Sequence, residues 1–272
     1  MKKAVSLFIV FSLMLSVSAC TVVSDAGGAP FESIITFDNL SLFCATNVSD
    51  AENFEEPIRG IMLEFHGISD QSLAGNPAVG RRCTAQNVLY VFPSNGPWNW
   101  MDKTAVRMTD RIIDILIEHF DLDKDIPVVS TGYSMGGAGA ITYSVYSKHN
   151  VTAVAADSAV CDLFAYAEYN ASAWRSIIRA LGDYDMPFED AIKTVSPIHL
   201  IDELKDIPYF LVHGGSDTDV PAEDHSDILN SLLLGKGFDV VYKRPETMTH
   251  VAMPGVIETL YFEFIFSNMN NG

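Results

Sequence analysis

The chain has 272 residues, with 35 acidic against 17 basic side chains and a formal net charge of −18. That excess repels polyanions, which argues against nucleic acid as a partner and favours neutral or cationic substrates. Length and a hydrophobic content of 48% suit one sizeable core in a single domain.

The chain opens on "MKKAVSLFIVFSLMLSVSAC": two lysines, an apolar run from Ala4 to about Val17, then small residues. This is the layout of an export signal, and the run is shorter than the roughly 20 residues a membrane-spanning helix needs. "VSAC" resembles the bacterial lipoprotein box, which implies cleavage after residue 19, lipidation of Cys20 and anchoring of the mature protein to the cell envelope. "TVVSDAGGAP" then reads as a short tether over 20–30, leaving 31–272 as the domain. Removal of Lys2 and Lys3 takes the net charge to about −20. Cys44, Cys83 and Cys161 remain; export permits a disulfide, three thiols always leave one over, and Cys44 with Cys83 is the preferred pair. There is no C-x-x-C or H-x-x-x-H spacing, so neither metal nor other cofactor is expected.

Along the domain, apolar β-rich runs alternate with helical patterns. "SIITF" and "LSLFCA" read as an opening hairpin, followed by strands "GIMLEF" (60–65), "NVLYVF" (87–92), "IPVVSTGY" (126–133), "VTAVAAD" (151–157), "IPYFLVH" (207–213) and "FDVVYK" (238–243). Most are continuously apolar, as strands covered on both faces of a parallel sheet should be. "KTAVRMTDRIIDILIEHF" carries Val106, Ile112, Ile113, Leu116 and Phe120 at helical spacing, and "AEDHSDILNSLLLGKG" begins with acids and ends at glycine. The pattern predicts an α/β fold, an open and mainly parallel central sheet with helices on both faces. Chemistry in such sheets sits outside the carboxyl ends of the strands.

One serine stands at such an end. Gly132-Tyr133-Ser134-Met135-Gly136 matches G-x-S-x-G, with "IPVVST" as a strand before it and "GGAGAITYSVYSKH" as a helix after it. A tight strand-to-helix turn lifts the hydroxyl clear of the sheet and places it at a helix N-terminus. A serine needs a base, and the base needs an orienting acid. Asp217 follows the strand "YFLVH", and His250 lies between the last strand and a closing helix, giving the order Ser, Asp, His. Asp157, at the end of "VTAVAAD", is an alternative acid, and Asp219 a further one. His66 and His213 precede glycines in strand-end turns and read as structural; His119, His149, His199 and His225 read as surface or cap residues.

With "EFHG" (64–67), "GYSMGG" (132–137), "SPIHLIDELKDIPYFLVHGGSDTDVP" (196–221) and His250, the chain from about 58 to 267 resembles the α/β-hydrolase superfamily. The likeness is to its esterase and prolyl-oligopeptidase-like branch, which includes dienelactone-hydrolase-like enzymes. It implies an α/β-hydrolase fold, and it places the acid at the first aspartate of H-G-x-x-D-x-x-V-P, here Asp217. Two departures stand out: no His-Gly-Gly-Gly run follows "GIMLEF", and the family's glycine after the histidine is Val251 here. The oxyanion hole is expected from the N–H of Met135 and one from the loop after "LEFHG", Ile68 before Ser69.

Substrate residues are less legible. Trp98 and Trp100 in "PSNGPWNWMD" lie on the Ser134 rim and offer an apolar wall, or close the loop over the core. Residues 162–204 read as a small helical cap with Tyr166, Tyr169, Trp174 and Phe188 available to line a pocket or to pack. The expected activity is a lipid-anchored serine esterase acting on carboxylic esters, for example acyl or feruloyl groups on polysaccharide. The alternatives are a prolyl-oligopeptidase-like peptidase and a surface binding lipoprotein that kept the fold without the chemistry.

Overall fold

A computed structural model of the protein describes residues 31–49, 54–69 and 74–269. The export signal, Cys20 and the tether lie outside the described residues. Seven strands form one sheet in the order β1-β3-β2-β4-β5-β6-β7. They are β1 (Cys44–Thr46), β2 (Gly60–Phe65), β3 (Val88–Pro93), β4 (Val128–Tyr133), β5 (Val151–Asp157), β6 (Tyr209–Val212) and β7 (Val240–Lys243). Only the short β1 runs antiparallel, against β3; every other pairing is parallel.

Strand alternation divides the interior in two. Ile61, Leu63 and Phe65 face a core shared with α2 (Lys103–Phe120), α3 (Met135–Tyr146) and α7 (Ser226–Lys236), through Ile112, Leu116, Ile141, Tyr143 and Leu229. Met62, Tyr90, Val129 and Phe210 face the other core, shared with α1 (Pro77–Thr84) and α8 (Gly255–Ser267) through Val79, Tyr261 and Ile265. The helix predicted from periodicity over 103–120 forms over those residues, held at its start by Asp102, whose carboxylate accepts from Ala105 N–H at 2.8 Å. α7 stops at Gly237, which takes the left-handed φ of 82°.

Between β5 and β6 the cap is present as α4 (Leu163–Tyr169), α5 (Ala173–Leu181) and α6 (Phe188–Lys193). Its inward face, with Leu163, Tyr166, Ile177 and Ile192, packs in a third cluster with Trp100, Met135, Ala138 and Val220. The cap therefore sits directly on the first turn of α3. Among the described residues no helix is long and apolar enough to cross a membrane.

Two expectations are corrected. In place of the opening hairpin, Phe31–Ile34 and Phe37–Leu42 are 3-10 turns, and β1 pairs with β3 instead of a sequence neighbour. Asn39 explains part of this, since its side chain accepts from Thr36 N–H and donates to Ile34 O, closing the turn that the apolar count had read as strand. The Cys44–Cys83 disulfide is absent, because Cys44 packs in the α2–α3 core and Cys83 in the α1–α8 core, on opposite faces of the sheet.

The join of β4 to α3 is closely fitted. A Cβ on Gly136 would stand 2.0 Å from the carbonyl oxygen of Phe65. Gly136→Ala is therefore expected to lower the melting temperature by about 10 °C or more, given the few kcal/mol that backbone displacement costs. Gly235→Ala, in α7 with nothing within 4 Å of the added carbon, should leave it unchanged or slightly raised in the same thermal unfolding measurement.

Candidate active site

The register of the sheet brings the predicted residues to one edge. Tyr133 pairs with Asp157, and Asp157 with Val212, so the residues that follow these strand ends begin at the same level. Ser134 occupies the corner with φ 56° and ψ −122°, a conformation costing about 1–3 kcal/mol for a residue with a side chain. Its backbone is tied on both sides. Its N–H donates to Asp157 O at 2.9 Å, and its carbonyl accepts from Val160 N–H at 3.2 Å and Gly137 N–H at 3.1 Å. The hydroxyl is left at the N-terminus of α3, with no hydrogen bond to any described residue.

Asp217 and His250 are bonded to each other. His250 Nδ1 lies 2.7 Å from Asp217 Oδ2. Burial acts to raise the Asp217 carboxyl, but donors from His213, His250 and the Val220 N–H outweigh it and hold the group well below the usual carboxylate range. An ionised carboxylate only accepts, so His250 Nδ1 is the donor in this pair. The Ser134–His250 hydrogen bond is not formed; such bonds are often long without substrate and tighten in the complex. The histidine loop is held at this edge by Val251 N–H, which donates to Ser158 Oγ at 3.2 Å, one residue beyond β5.

The sequence reading missed His213. Its ring is fully buried, with Nε2 2.7 Å from Val220 O and 3.3 Å from Asp217 Oδ2, and Nδ1 2.6 Å from Ser226 Oγ. Two acceptors at Nε2 fix the proton there, so Ser226 donates to Nδ1 and the ring supports the acid from behind. The glycine turn after His213 pointed to structure alone; nothing local showed that β6 would aim the ring at a residue four positions on. His225, expected at the surface or in a cap, is the residue before α7 and is fully buried. Its Nδ1 accepts from Asp162 N–H at 3.1 Å, its Nε2 has no partner among the described residues, and burial lowers its pKa to about 4.

Asp157 lies beside this network. Its Oδ1 accepts from Ser158 Oγ at 2.9 Å, it makes no hydrogen bond to His250, and burial raises its carboxyl to about 6. Of the three acids considered for His250, Asp217 is the one in contact. Asp219 gives its N–H to Asp217 Oδ1 at 3.0 Å.

Two backbone amides near the corner are without an acceptor among the described residues: Met135 follows Ser134, and Ile68 follows Gly67, whose added Cβ would stand 3.6 Å from Ser134 Cβ. Ser69 N–H is taken by Pro97 O at 2.8 Å, whereas the N–H groups of Ile68 and Met135 have no acceptor among the described residues. Both residues belong to the cap cluster, so a carbonyl oxygen between them would be shielded from water. The two tryptophans separate. Trp98 is 42% exposed, and its ring N–H donates to Ser69 Oγ. Trp100 is 2% exposed, donates to Ser176 Oγ at 2.9 Å and packs on Tyr166, so it is a floor under the cap and not an open wall. Tyr166 is buried with it, Trp174 packs on Phe164 and Phe188, and Tyr169 is exposed with its hydroxyl on Asp224.

A parallel sheet with helices on both faces, a serine at a strained strand-to-helix corner and an Asp–His pair on the same edge define a serine hydrolase of α/β-hydrolase architecture. Within that class the chain belongs to the Esterase family, which matches residues 68–251. None of the curated proteins matches it in sequence. Among solved structures it is similar to esterase B from Lactobacillus rhamnosis, with 17% identity over 79% of this chain and 78% of that one and a TM-score of 0.62. An S-formylglutathione hydrolase from Agrobacterium tumefaciens aligns over 81% and 86% at 16% identity, TM-score 0.58. A Pyrococcus horikoshii acylaminoacyl peptidase aligns over 80% of this chain but 39% of its own, at 15% identity, TM-score 0.61. At these identities the likeness is one of fold.

Asp217→Asn is expected to lower kcat for a p-nitrophenyl ester by about 10³–10⁴, since the amide can turn the imidazole to the wrong tautomer. Asp157→Asn should cost less, and the reverse order in steady-state kinetics would transfer the role of acid to Asp157. His225 sets a pH dependence. Its folded pKa of about 4 lies below the ordinary 6.5, so its contribution to stability is complete above 6.5 and is lost as the pH falls through 4. His225→Asn keeps an acceptor for Asp162 N–H and should show a shallower fall of melting temperature from about pH 7 to 4.5 than the parent chain; parallel curves would refute the assignment.

Proposed function

We propose that the protein hydrolyses carboxylic esters through an acyl-enzyme, with Ser134 as nucleophile, His250 as base and Asp217 as orienting acid. The observation that carries this is the 2.7 Å Asp217–His250 pair, which leaves Nε2 basic on the edge that presents Ser134. Ser134 Oγ attacks the ester carbonyl carbon as His250 Nε2 takes its proton, and the oxyanion is received by the N–H groups of Met135 and Ile68. Collapse expels the alcohol, which leaves with the proton from His250. Water then attacks the acyl-serine by the same route and releases the acid. The acyl half lies against Ile68, Met135 and the cap, and Trp98 on the exposed rim suits the ring of a sugar or aromatic group, consistent with acyl or feruloyl esters of polysaccharide. The apolar signal sequence and Cys20 support an exported protein anchored by lipid to the cell envelope.

The acylaminoacyl peptidase fold favours one second reading, hydrolysis of amides. A panel of p-nitrophenyl esters beside peptide p-nitroanilides separates the two. Esters should be turned over with the higher kcat/KM, and Ser134→Ala should abolish both turnover and labelling by a fluorophosphonate. Anilide turnover above ester turnover would establish the peptidase, and labelling that survives Ser134→Ala would remove Ser134 as nucleophile.

A further inference from the structure

A cavity of about 540 Å³ opens at the carboxyl edge of the sheet on the α1–α8 side, and no step of the hydrolysis above uses it. Strand alternation places its side chains: Glu64 on β2 shares a face with Met62, and Asp157 on β5 shares one with Ala153 and Ala155, all on the α1–α8 side. Its described wall holds three carboxylates, Glu64, Asp157 and Glu258, and the rings of Tyr133, Tyr261 and Phe262, with no lysine or arginine.

The three acids are not equivalent. Glu258 is paired with Arg82 at 3.2 Å, and Arg82 also lies 4.5 Å over the Phe262 ring. Glu64 accepts from the Tyr90 hydroxyl. Asp157 is 7% exposed, its Oδ1 is bonded to Ser158 Oγ, and no described residue donates to its Oδ2. Oδ2 keeps contact with solvent at the cavity wall, where a ligand can supply a partner that the chain does not.

The position relative to the chemistry assigns the half of the substrate. The wall includes Tyr133 and Val251, the residues next to Ser134 and His250. His250 must return its proton to the leaving oxygen, so the alcohol half of the ester lies on the histidine side of the scissile bond, while the acyl half lies between the two amides and the cap. The cavity is therefore on the alcohol side.

We propose that this cavity is the subsite for the alcohol half of the ester and selects an alcohol that bears an ammonium group, received by the Asp157 carboxylate among the rings of Tyr133 and Tyr261. Ring faces attract cations, most strongly where water is excluded, and the net charge of −18 draws cations to the surface. A small amino alcohol and an amino-sugar unit of a polysaccharide share this chemistry. The inference rests on the esterase reading.

The test compares acetylcholine with its neutral carbon isostere, 3,3-dimethylbutyl acetate, each rate divided by that of hydroxide-catalysed hydrolysis. The expected preference in kcat/KM is roughly tenfold for the cationic ester, falling to within about twofold in Asp157→Asn. Turnover of both esters at equal kcat/KM overturns the subsite and leaves the esterase intact. Failure to turn over either of them or p-nitrophenyl acetate removes the esterase reading and this proposal with it. Should Asp157→Asn not fold, the unmodified protein decides: choline or glucosamine should compete with the neutral ester where 3,3-dimethylbutan-1-ol does not. Competition by choline points to a small amino alcohol and by glucosamine to an amino sugar; competition by neither overturns the proposal.

Discussion

The close approach of the β4–α3 corner to the end of β2 is the constraint on which the site depends. Gly136 rests against the carbonyl of Phe65, and a Cβ on Gly132 would meet the carbonyl of Gly136 at 2.2 Å, so the backbone can turn from strand to helix within one residue. That residue is Ser134, held in a conformation it would not choose because its N–H donates to Asp157 O at the end of β5 and its carbonyl accepts from Val160 N–H just beyond. Strain persists where the surroundings over-determine it. Here it places a hydroxyl at a helix N-terminus, beside the amide of Met135.

The end of β5 and the residues just beyond it organise the rest of the edge. Asp157 and Val160 hold Ser134, while Ser158 holds Val251 and with it the loop of His250. Two carboxylates stand near that histidine in different states because their surroundings differ. Asp217 collects donors from His213, His250 and two backbone N–H groups, and is kept ionised. Asp157 has one hydroxyl donor and is raised by burial. Surroundings of this kind drive the two carboxyls apart, one held ionised against the imidazole and the other raised by burial.

Much of the fold was legible because the signals were local and strong. "GIMLEF" forms β2 over the residues read as strand, and the amphipathic run 103–120 forms α2, since buried parallel strands and long helices leave clear apolar patterns. The opening segment was not legible. Its apolar residues suit strand or turn equally, and the Asn39 side chain decides for the turn.

By itself the sequence singled out Ser134, Asp217 and His250 and their order, because G-x-S-x-G between a strand and a helix, an aspartate after one later strand and a histidine after the next are readable along the chain. Tertiary structure alone decided which carboxylate touches His250, which amide beyond Met135 is free, and that Trp100 is buried while Trp98 is not. It also turned the ring of His213 onto Asp217. The reason is physical: hydrogen-bond partners and burial are set by where strands distant in sequence end relative to one another, and that register appears only when the sheet is assembled.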